Sequence, residues 1–470
     1  MREKLGQRLL KNDVVSEEQL EKALESQRLH GGRLGHNLAS LGFMSLEELD
    51  TFFNRHPKRP ESVQSTGLDL AFISDLALKD VLYKGVFTLQ ELSDRIKLPV
   101  SIVDSAVDVL RRERLVEVMG AAGFSKESYK FKITEGGRKR ASELLEVCRY
   151  VGPAPVHIDD YKEMVESQTI KNILVDDETL KEAFSSIVLQ DSFLKRIGPA
   201  ISSGRAIFLY GPPGNGKTTV AEIMGKALPG NIYIPYALIV GGQIINVFDP
   251  VNHIPVESDS GEKKESLDRR WILIKRPVII TGGELTLKML DLEFNTISNF
   301  YEAPLQIKAN NGLFIVDDFG RQQIPPQNLL NRWIVPLERR TEFLSLHTGM
   351  KFDIPFDILV VFSTNLEPKN LVDEAFLRRI RYKVKIDHPT EEEFEAIFKK
   401  VCEANSIEFS EEVLSYLVNN YYRKLGVKPN ACHPRDLIDH IIDNAHHYRH
   451  APRLTKEVID AAWMNYFVEM

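Results

Sequence analysis

The chain has 470 residues, of which 43% are hydrophobic, and a formal net charge of −7 at neutral pH. That length predicts about three domains, each with a core of its own, and the charge argues against a nucleic-acid coat while leaving local basic patches open. Cys148, Cys402 and Cys432 lie far apart with no C-x-x-C pair, so neither a disulfide framework nor a cysteine zinc site is indicated. The start, Met1-Arg2-Glu3-Lys4, leads into polar residues and no apolar run reaches membrane-spanning length, which predicts a cytoplasmic protein without membrane insertion.

Residues 1–57 hold an internal repeat. Lys4-Leu5-Gly6-x-x-Leu9-Leu10 returns as Arg33-Leu34-Gly35-x-x-Leu38, and Val14-Val15-Ser16-Glu17-Glu18-x-Leu20 returns as Phe43-Met44-Ser45-Leu46-Glu47-Glu48-Leu49. Each copy predicts a short helix, a turn and a second helix, with Ser16 and Ser45 as N-caps and acidic residues opposing the dipole in the first turn. Units this short cannot bury a face alone, so the copies are expected to pack on each other.

Pro57-Lys58-Arg59-Pro60-Glu61-Ser62 reads as a linker. Residues 67–148 then predict helices over Leu70 to Tyr83, Thr88 to Ile96 and Val100 to Arg114. Alternating strands follow at Leu115-Val116-Glu117-Val118 and Tyr129-Lys130-Phe131-Lys132-Ile133. Three helices and a two-stranded wing make a winged helix-turn-helix. Its third helix turns Ile102, Val103, Ala106, Val107 and Leu110 toward a core and presents Ser101, Asp104, Ser105 and Asp108 outward. Two aspartates there repel phosphate, while Arg111, Arg112, Arg114, Arg138, Lys139 and Arg140 lie elsewhere. A protein-binding or intramolecular role is therefore favoured over DNA binding.

Val151-Gly152-Pro153-Ala154-Pro155-Val156 reads as a second linker, and a nucleotide-binding module is expected from about Ile170. Ala206-Ile207-Phe208-Leu209-Tyr210 predicts a strand, followed by Gly211-Pro212-Pro213-Gly214-Asn215-Gly216-Lys217-Thr218-Thr219 and a helix. This is a complete P-loop. Its glycines let several N–H groups turn inward at a helix N-terminus, where phosphate is favoured. Lys217 is placed to reach phosphate oxygens, and Thr218 to offer a hydroxyl to Mg²⁺.

Asn311-Gly312-Leu313-Phe314-Ile315-Val316-Asp317-Asp318 is a second apolar strand, ending in two carboxylates. Asp317 is assigned to the metal and Asp318 to the attacking water. Thr341 to Phe352 alternates about Thr348-Gly349 and predicts a hairpin. Ile358-Leu359-Val360-Val361-Phe362 is a third strand, ending in Ser363-Thr364-Asn365. Beyond Pro389 the pattern is helical.

With these motifs in this order, residues 170 to 470 resemble the AAA+ ATPases, with the hairpin and Gln327 to Glu338 similar to the MoxR-like and NtrC-like branches. The resemblance implies an α/β P-loop core over 170–389 and a helical lid over 390–470. It implies ATP and Mg²⁺ as ligands and a homo-oligomer, commonly a ring. Asn365 would be sensor 1. Asp373 to Arg381 resembles the arginine-finger segment, with the finger on Arg378 or Arg379 and Arg381 as a third candidate. His433-Pro434-Arg435-Asp436-Leu437 resembles sensor 2, in which Arg435 contacts nucleotide. The Gly-Ala-Phe-Thr-Gly-Ala loop of the sigma-factor activators is missing; the role of Gly282-Gly283-Glu284-Leu285 stays unassigned, and Glu257 to Glu265 is expected to be a mobile loop.

The amino-terminal repeat resembles the N-terminal domain of type II secretion and type IV pilus ATPases in its cyclic di-GMP-binding form. That resemblance implies a ligand site including Lys4, Gln27 and Arg33. Lys4 replaces an Arg, His56 stands where the second copy would have Gln, and Asp13 replaces a turn glycine. The expectation is thus a multi-domain ATPase that remodels a protein client. Alternatives are an ATP-gated DNA-binding regulator using the winged helix, or a cyclic di-GMP-responsive ATPase of a secretion or pilus-related system.

Overall fold

The computed structural model describes residues 9–10, 14–30, 34–45, 56–121, 129–173, 175–257, 266–371 and 374–467. Five strands, the inner three of near-continuous apolar sequence, form a wholly parallel sheet, in the order Val278–Thr281, Leu313–Val316, Leu359–Thr364, Ile207–Tyr210 and Tyr382–Lys385. Parallel strands covered on both faces need apolar residues at every position, and all of Leu313–Val316 and Leu359–Thr364 is buried.

The pleat divides these side chains between two cores. Ile207, Leu209, Leu313, Ile315, Leu359 and Val361 meet the helices Asp191–Ser202 and Lys217–Lys226. Phe208, Phe314, Val316, Val360 and Phe362 meet the helix Pro326–Arg339, whose Trp333 is fully buried.

A second five-stranded sheet was not foreseen. Its order is Glu293–Asn295, Phe300–Glu302, Gln243–Asn246, Ala237–Val240 and Val156–His157, and a ribbon of Asn231–Pro235 with Trp271–Lys275 accompanies it. Ala237–Val240, Gln243–Asn246 and the ribbon are inserted between the P-loop helix and the edge strand Val278–Thr281, and Glu293–Asn295 with Phe300–Glu302 between that strand and Leu313–Val316. The hairpin Thr341–Ser345 with Lys351–Pro355 forms where expected, and Gly349 takes φ +84° at its turn. Leu344, Leu346 and Ile354 bury against the inserted sheet, so the hairpin is a joint between the two sheets.

Toward the amino terminus, the helices Leu70–Val81, Leu89–Ile96 and Val100–Arg112 lead into an antiparallel sheet in the order Val86–Thr88, Tyr129–Ile133, Val116–Ala121, followed by the helix Glu135–Val147. The third strand, Val86–Thr88, departs from the two-stranded expectation; Thr88 both ends it and caps the next helix through a capping box with Glu91. Ile102, Val103, Ala106, Val107 and Leu110 are all buried. The helix Glu17–His30 begins at Ser16, whose hydroxyl accepts from Gln19 N–H while Gln19 Oε1 accepts from Ser16 N–H. Leu9, Val15, Leu20 and Ala23 of the first copy share one small core with Leu38 and Met44 of the second. The acidic turn after Ser45 lies outside the described residues.

Neither proline-bearing segment is a free linker. Arg59 N–H donates to Ser266 O and Asp268 N–H to Pro57 O, while Val156 and His157 pair in parallel with Leu238 and Ile239. Local composition identified segments unable to be helical, but they found partners in the insertion. At their junction Arg270 is buried with Asp268, at 3% and 4% side-chain exposure. Its guanidinium grips both carboxylate oxygens and also donates to Thr66 O at 2.8 Å and Pro155 O at 3.2 Å. Among the described residues, no helix is long and apolar enough to cross a membrane.

Removing one partner of such a pair strands a buried charge, a loss of roughly 3–5 kcal/mol. Asp268→Ala is therefore expected to unfold the amino-terminal half first, seen as a separate early transition in a thermal melt. A single unshifted transition would show that the pair does not hold this junction.

Candidate active site

The strand order places the sensor strand Leu359–Thr364 between the P-loop strand and the acidic strand. Since the three run parallel, their carboxyl ends deliver the P-loop, Asp317-Asp318 and Asn365 to one edge of the sheet. Ligands in open parallel sheets sit in the crevice at that edge. A cleft of about 680 Å³ opens there, lined by Pro213 to Val220, Asp317, Asp318, Asn365 and Arg435.

Within it, Thr218 Oγ1 donates to Asp317 Oδ2 at 2.7 Å, and Asn365 Nδ2 donates to Asp318 Oδ1 at 3.3 Å. Lys217 Nζ donates to the carbonyls of Pro212 at 2.8 Å and Gly211 at 3.1 Å. Burial lowers its affinity for a proton, while the charges of Asp317 and Asp318 oppose that shift. A hydroxyl beside a carboxylate, with a lysine in a glycine-rich turn, fits Mg²⁺ bound jointly with a polyphosphate, since that ion takes few protein ligands and keeps water and phosphate oxygens. Among the described residues no group of three or more His, Cys, Asp or Glu side chains could hold a metal.

Asp318 has φ +47°. A left-handed backbone costs about 1 kcal/mol for a residue with a Cβ, and Asp tolerates it better than most. The turn conformation thus gives a physical reason for a short carboxylate at this position.

The lid helices Glu391–Ala404, Glu411–Leu417, His433–His447 and Lys456–Tyr466 form their own core around Phe398, Leu417, Leu437 and Trp463. Its contact with the P-loop is direct. Cys432 N–H donates to Gly214 O at 2.9 Å, and Ala431 N–H to Asn215 Oδ1 at 3.0 Å. Asn215 Nδ2 donates to Asn430 Oδ1, which also meets His388 Nδ1 at 2.8 Å. Gly214 has φ +74°, and a Cβ there would lie 2.7 Å from Cys432 Sγ. Gly211, likewise, has Ile386 O only 1.9 Å from where its Cβ would be. The helical pattern beyond Pro389 was legible in the sequence, whereas this loop was not, because no spacing links Asn430 to Asn215.

An apolar wall was also missed. Ile187, Val188 and Leu189 face Ile397, Val401 and Ala404 across the cleft, and Lys400 Nζ joins the two sides by donating to Ser185 O. The apolar run 187–189, just before a helix, was the available signal.

Arg435 reaches the cleft with a side chain 69% exposed. Arg378 and Arg379 are not among the residues lining it. Arg379 is tied to Glu338, whereas Arg378 is 77% exposed and paired with Glu374 one helical turn away. Arg381 is exposed. Lys4, Arg33 and Asp373 lie outside the described residues, and Gln27, on Glu17–His30, does not line this cleft.

A family model described as a domain of unknown function, DUF8689, matches residues 390–465, the span of the lid helices. No curated protein matches the chain in sequence. Among solved structures, the Holliday junction branch migration motor RuvB of Thermotoga maritima aligns at 15% identity and a TM-score of 0.32, covering 64% of this chain and 74% of that one. Domain III of the replication initiation protein DnaA from the same organism aligns at 14% identity and a TM-score of 0.32, covering 64% and 98%. Superpositions at that level decide nothing about activity.

Two outcomes are expected. Gly214→Ala should weaken nucleotide binding about tenfold, the effect of 1.4 kcal/mol, in a titration with a fluorescent nucleotide; unchanged affinity would mean that the lid loop yields freely. The second concerns His433, which accepts from Asn430 N–H through Nδ1 and meets Tyr422 Oη; burial lowers its pKa to about 4. The unfolded chain binds that proton more readily, so the stability from a neutral His433 is complete above about pH 6.5 and is lost as pH falls toward 4. Melting of the lid should drop across that window, and less so in His433→Gln.

Proposed function

We propose that this chain is an ATP-hydrolysing motor of the AAA+ type, which works as a homo-oligomer and remodels a protein partner. The observation that carries the reading is the pairing of Thr218 with Asp317 and of Asn365 with Asp318 inside the P-loop cleft. The interposed sensor strand and the lid loop seated on the P-loop support it.

Mg²⁺-ATP, when bound, supplies the phosphoanhydride to be cleaved. Lys217 and the inward N–H groups of the loop hold its phosphates, and Thr218 with Asp317 hold the metal. Asp318 accepts the proton of the attacking water, and Asn365 fixes the carboxylate that does so. The apolar wall of Ile187 to Leu189 and Ile397 to Ala404 suits a planar base. Charge developing on the terminal phosphate calls for a further cation. Arg378 is exposed and outside its own cleft, so it serves the site of a neighbouring subunit.

We assign the helices and sheet of residues 67–148 as a winged helix that contacts protein. Asp104 and Asp108 sit on its third helix, where a DNA reader would carry donors, and Asp108 is paired with Arg111 at 3.0 Å. The repeat of residues 1–57 is assigned to sensing or recruitment.

Lys217→Ala should abolish hydrolysis by the purified protein, measured as phosphate release, and turnover equal to wild type would end the reading. Arg378→Ala should lower turnover about 10³-fold while sparing nucleotide affinity. Mixing these two inactive variants should restore part of the activity, because a Lys217→Ala subunit lends its arginine to a neighbour with an intact P-loop. No restoration in stable mixed oligomers would rule out the shared site.

A further inference from the structure

The acidic turn is held from two sides. Phe319 is buried and locked to the sensor strand, since Phe319 N–H donates to Ser363 O and Thr364 Oγ1 donates to Phe319 O, both at 2.7 Å. The other side is gripped by one amide. Gln322 Nε2 donates to Asp317 O at 2.9 Å, to Asp318 O at 3.3 Å and to Gly282 O at 3.4 Å. Its Oε1 accepts from Gly320 N–H at 2.8 Å.

Between these anchors stand Asp318 and Gly320, both in the left-handed half of conformational space, at φ +47° and +104°. Asp318 is exposed and its carboxylate meets Asn365 at 3.3 Å, so its direction depends on how the backbone beneath it is held. A strained backbone persists where its surroundings over-determine it, and such positions cluster at functional sites.

We infer that Gln322 is a positioning residue for hydrolysis, which aims Asp318 by cross-bracing the acidic turn to Gly282. This rests on the ATPase reading above. It also gives Gly282-Gly283-Glu284 a role: Gly282 N–H donates to Glu284 Oε1 at 2.8 Å, which shapes the short turn that presents the Gly282 carbonyl to Gln322. The brace therefore spans the ends of two neighbouring strands, Val278–Thr281 and Leu313–Val316. Gln322 meets Asp317 only at its backbone carbonyl and lies apart from the hydrogen bonds of Lys217 and Thr218, so its removal should alter the chemical step and leave nucleotide binding as it is.

The test compares Gln322→Met, which keeps length without hydrogen bonds, with Gln322→Glu, which sets a carboxylate against three carbonyl oxygens. In full-length protein both should lower kcat roughly 10- to 100-fold, the scale of a misplaced catalytic group. The Kd for a fluorescent ADP analogue and the melting temperature should stay at wild-type values. In single-turnover measurements, Gln322→Met added to Asp318→Asn should cost nothing further, since the residue acts through that carboxylate. Wild-type turnover in Gln322→Met, a parallel loss of nucleotide affinity, or full additivity with Asp318→Asn would each overturn the inference. Lys217→Ala separates the two failures: if it hydrolyses as fast as wild type the ATPase reading falls, whereas an inactive Lys217→Ala beside a fully active Gln322→Met removes Gln322 alone.

Discussion

A parallel sheet covered on both faces can offer polar chemistry only where its strands end. The side chains of Leu313–Val316 and Leu359–Thr364 are spent on two cores, and the backbone is spent on neighbouring strands. Catalytic groups are thus confined to one edge, where the strand order decides which of them become neighbours. Asn365 stands beside Asp318 because its strand lies between those that lead to Lys217 and Asp317.

Edge residues are loop residues, and loops need bracing. Here the braces are polar and short. Phe319 and Gln322 hold the acidic turn, while Asn430 and Cys432 hold the P-loop from the lid. Glycine at 214 leaves room for the lid loop to approach. The loop of Asn430 to Cys432 therefore meets the P-loop backbone directly, independently of Arg435.

The inserted sheet joins this site to the front of the molecule through packed elements. The helix Pro326–Arg339 leads directly into the hairpin, whose Leu344, Leu346 and Ile354 share a core with Leu238, Ile245 and Val156. On its other side, Ala237 and Ile244 join the core of the three-helix unit. Beneath the sheet, buried Asp357 accepts from Thr169 Oγ1, Ile170 N–H and Asn311 Nδ2, so that the segment from the front enters the parallel-sheet core already pinned. These packed elements form a contiguous set of contacts from the parallel sheet to the amino-terminal helices.

Sequence alone determined what depends on neighbours along the chain. The P-loop turn, the apolar strands and their acidic or polar ends, the cap at Ser16, the hairpin about Thr348-Gly349 and the core face of Val100–Arg112 are all short-range patterns, legible because strand and helix periods repeat every few residues. The inserted sheet, the pairing of the supposed linkers, the attachment of Arg379 to Glu338 and the reach of Gln322 to Gly282 were decided only in three dimensions. Val156 finds Leu238 across a stretch that includes the P-loop strand and helix, and an amide such as Gln322 carries no spacing that announces its partners. The same two carboxylates, Asp317 and Asp318, could be read as a pair from their order. Their division into one beside Thr218 and one beside Asn365 follows from the left-handed turn at Asp318, which tertiary contacts hold in place.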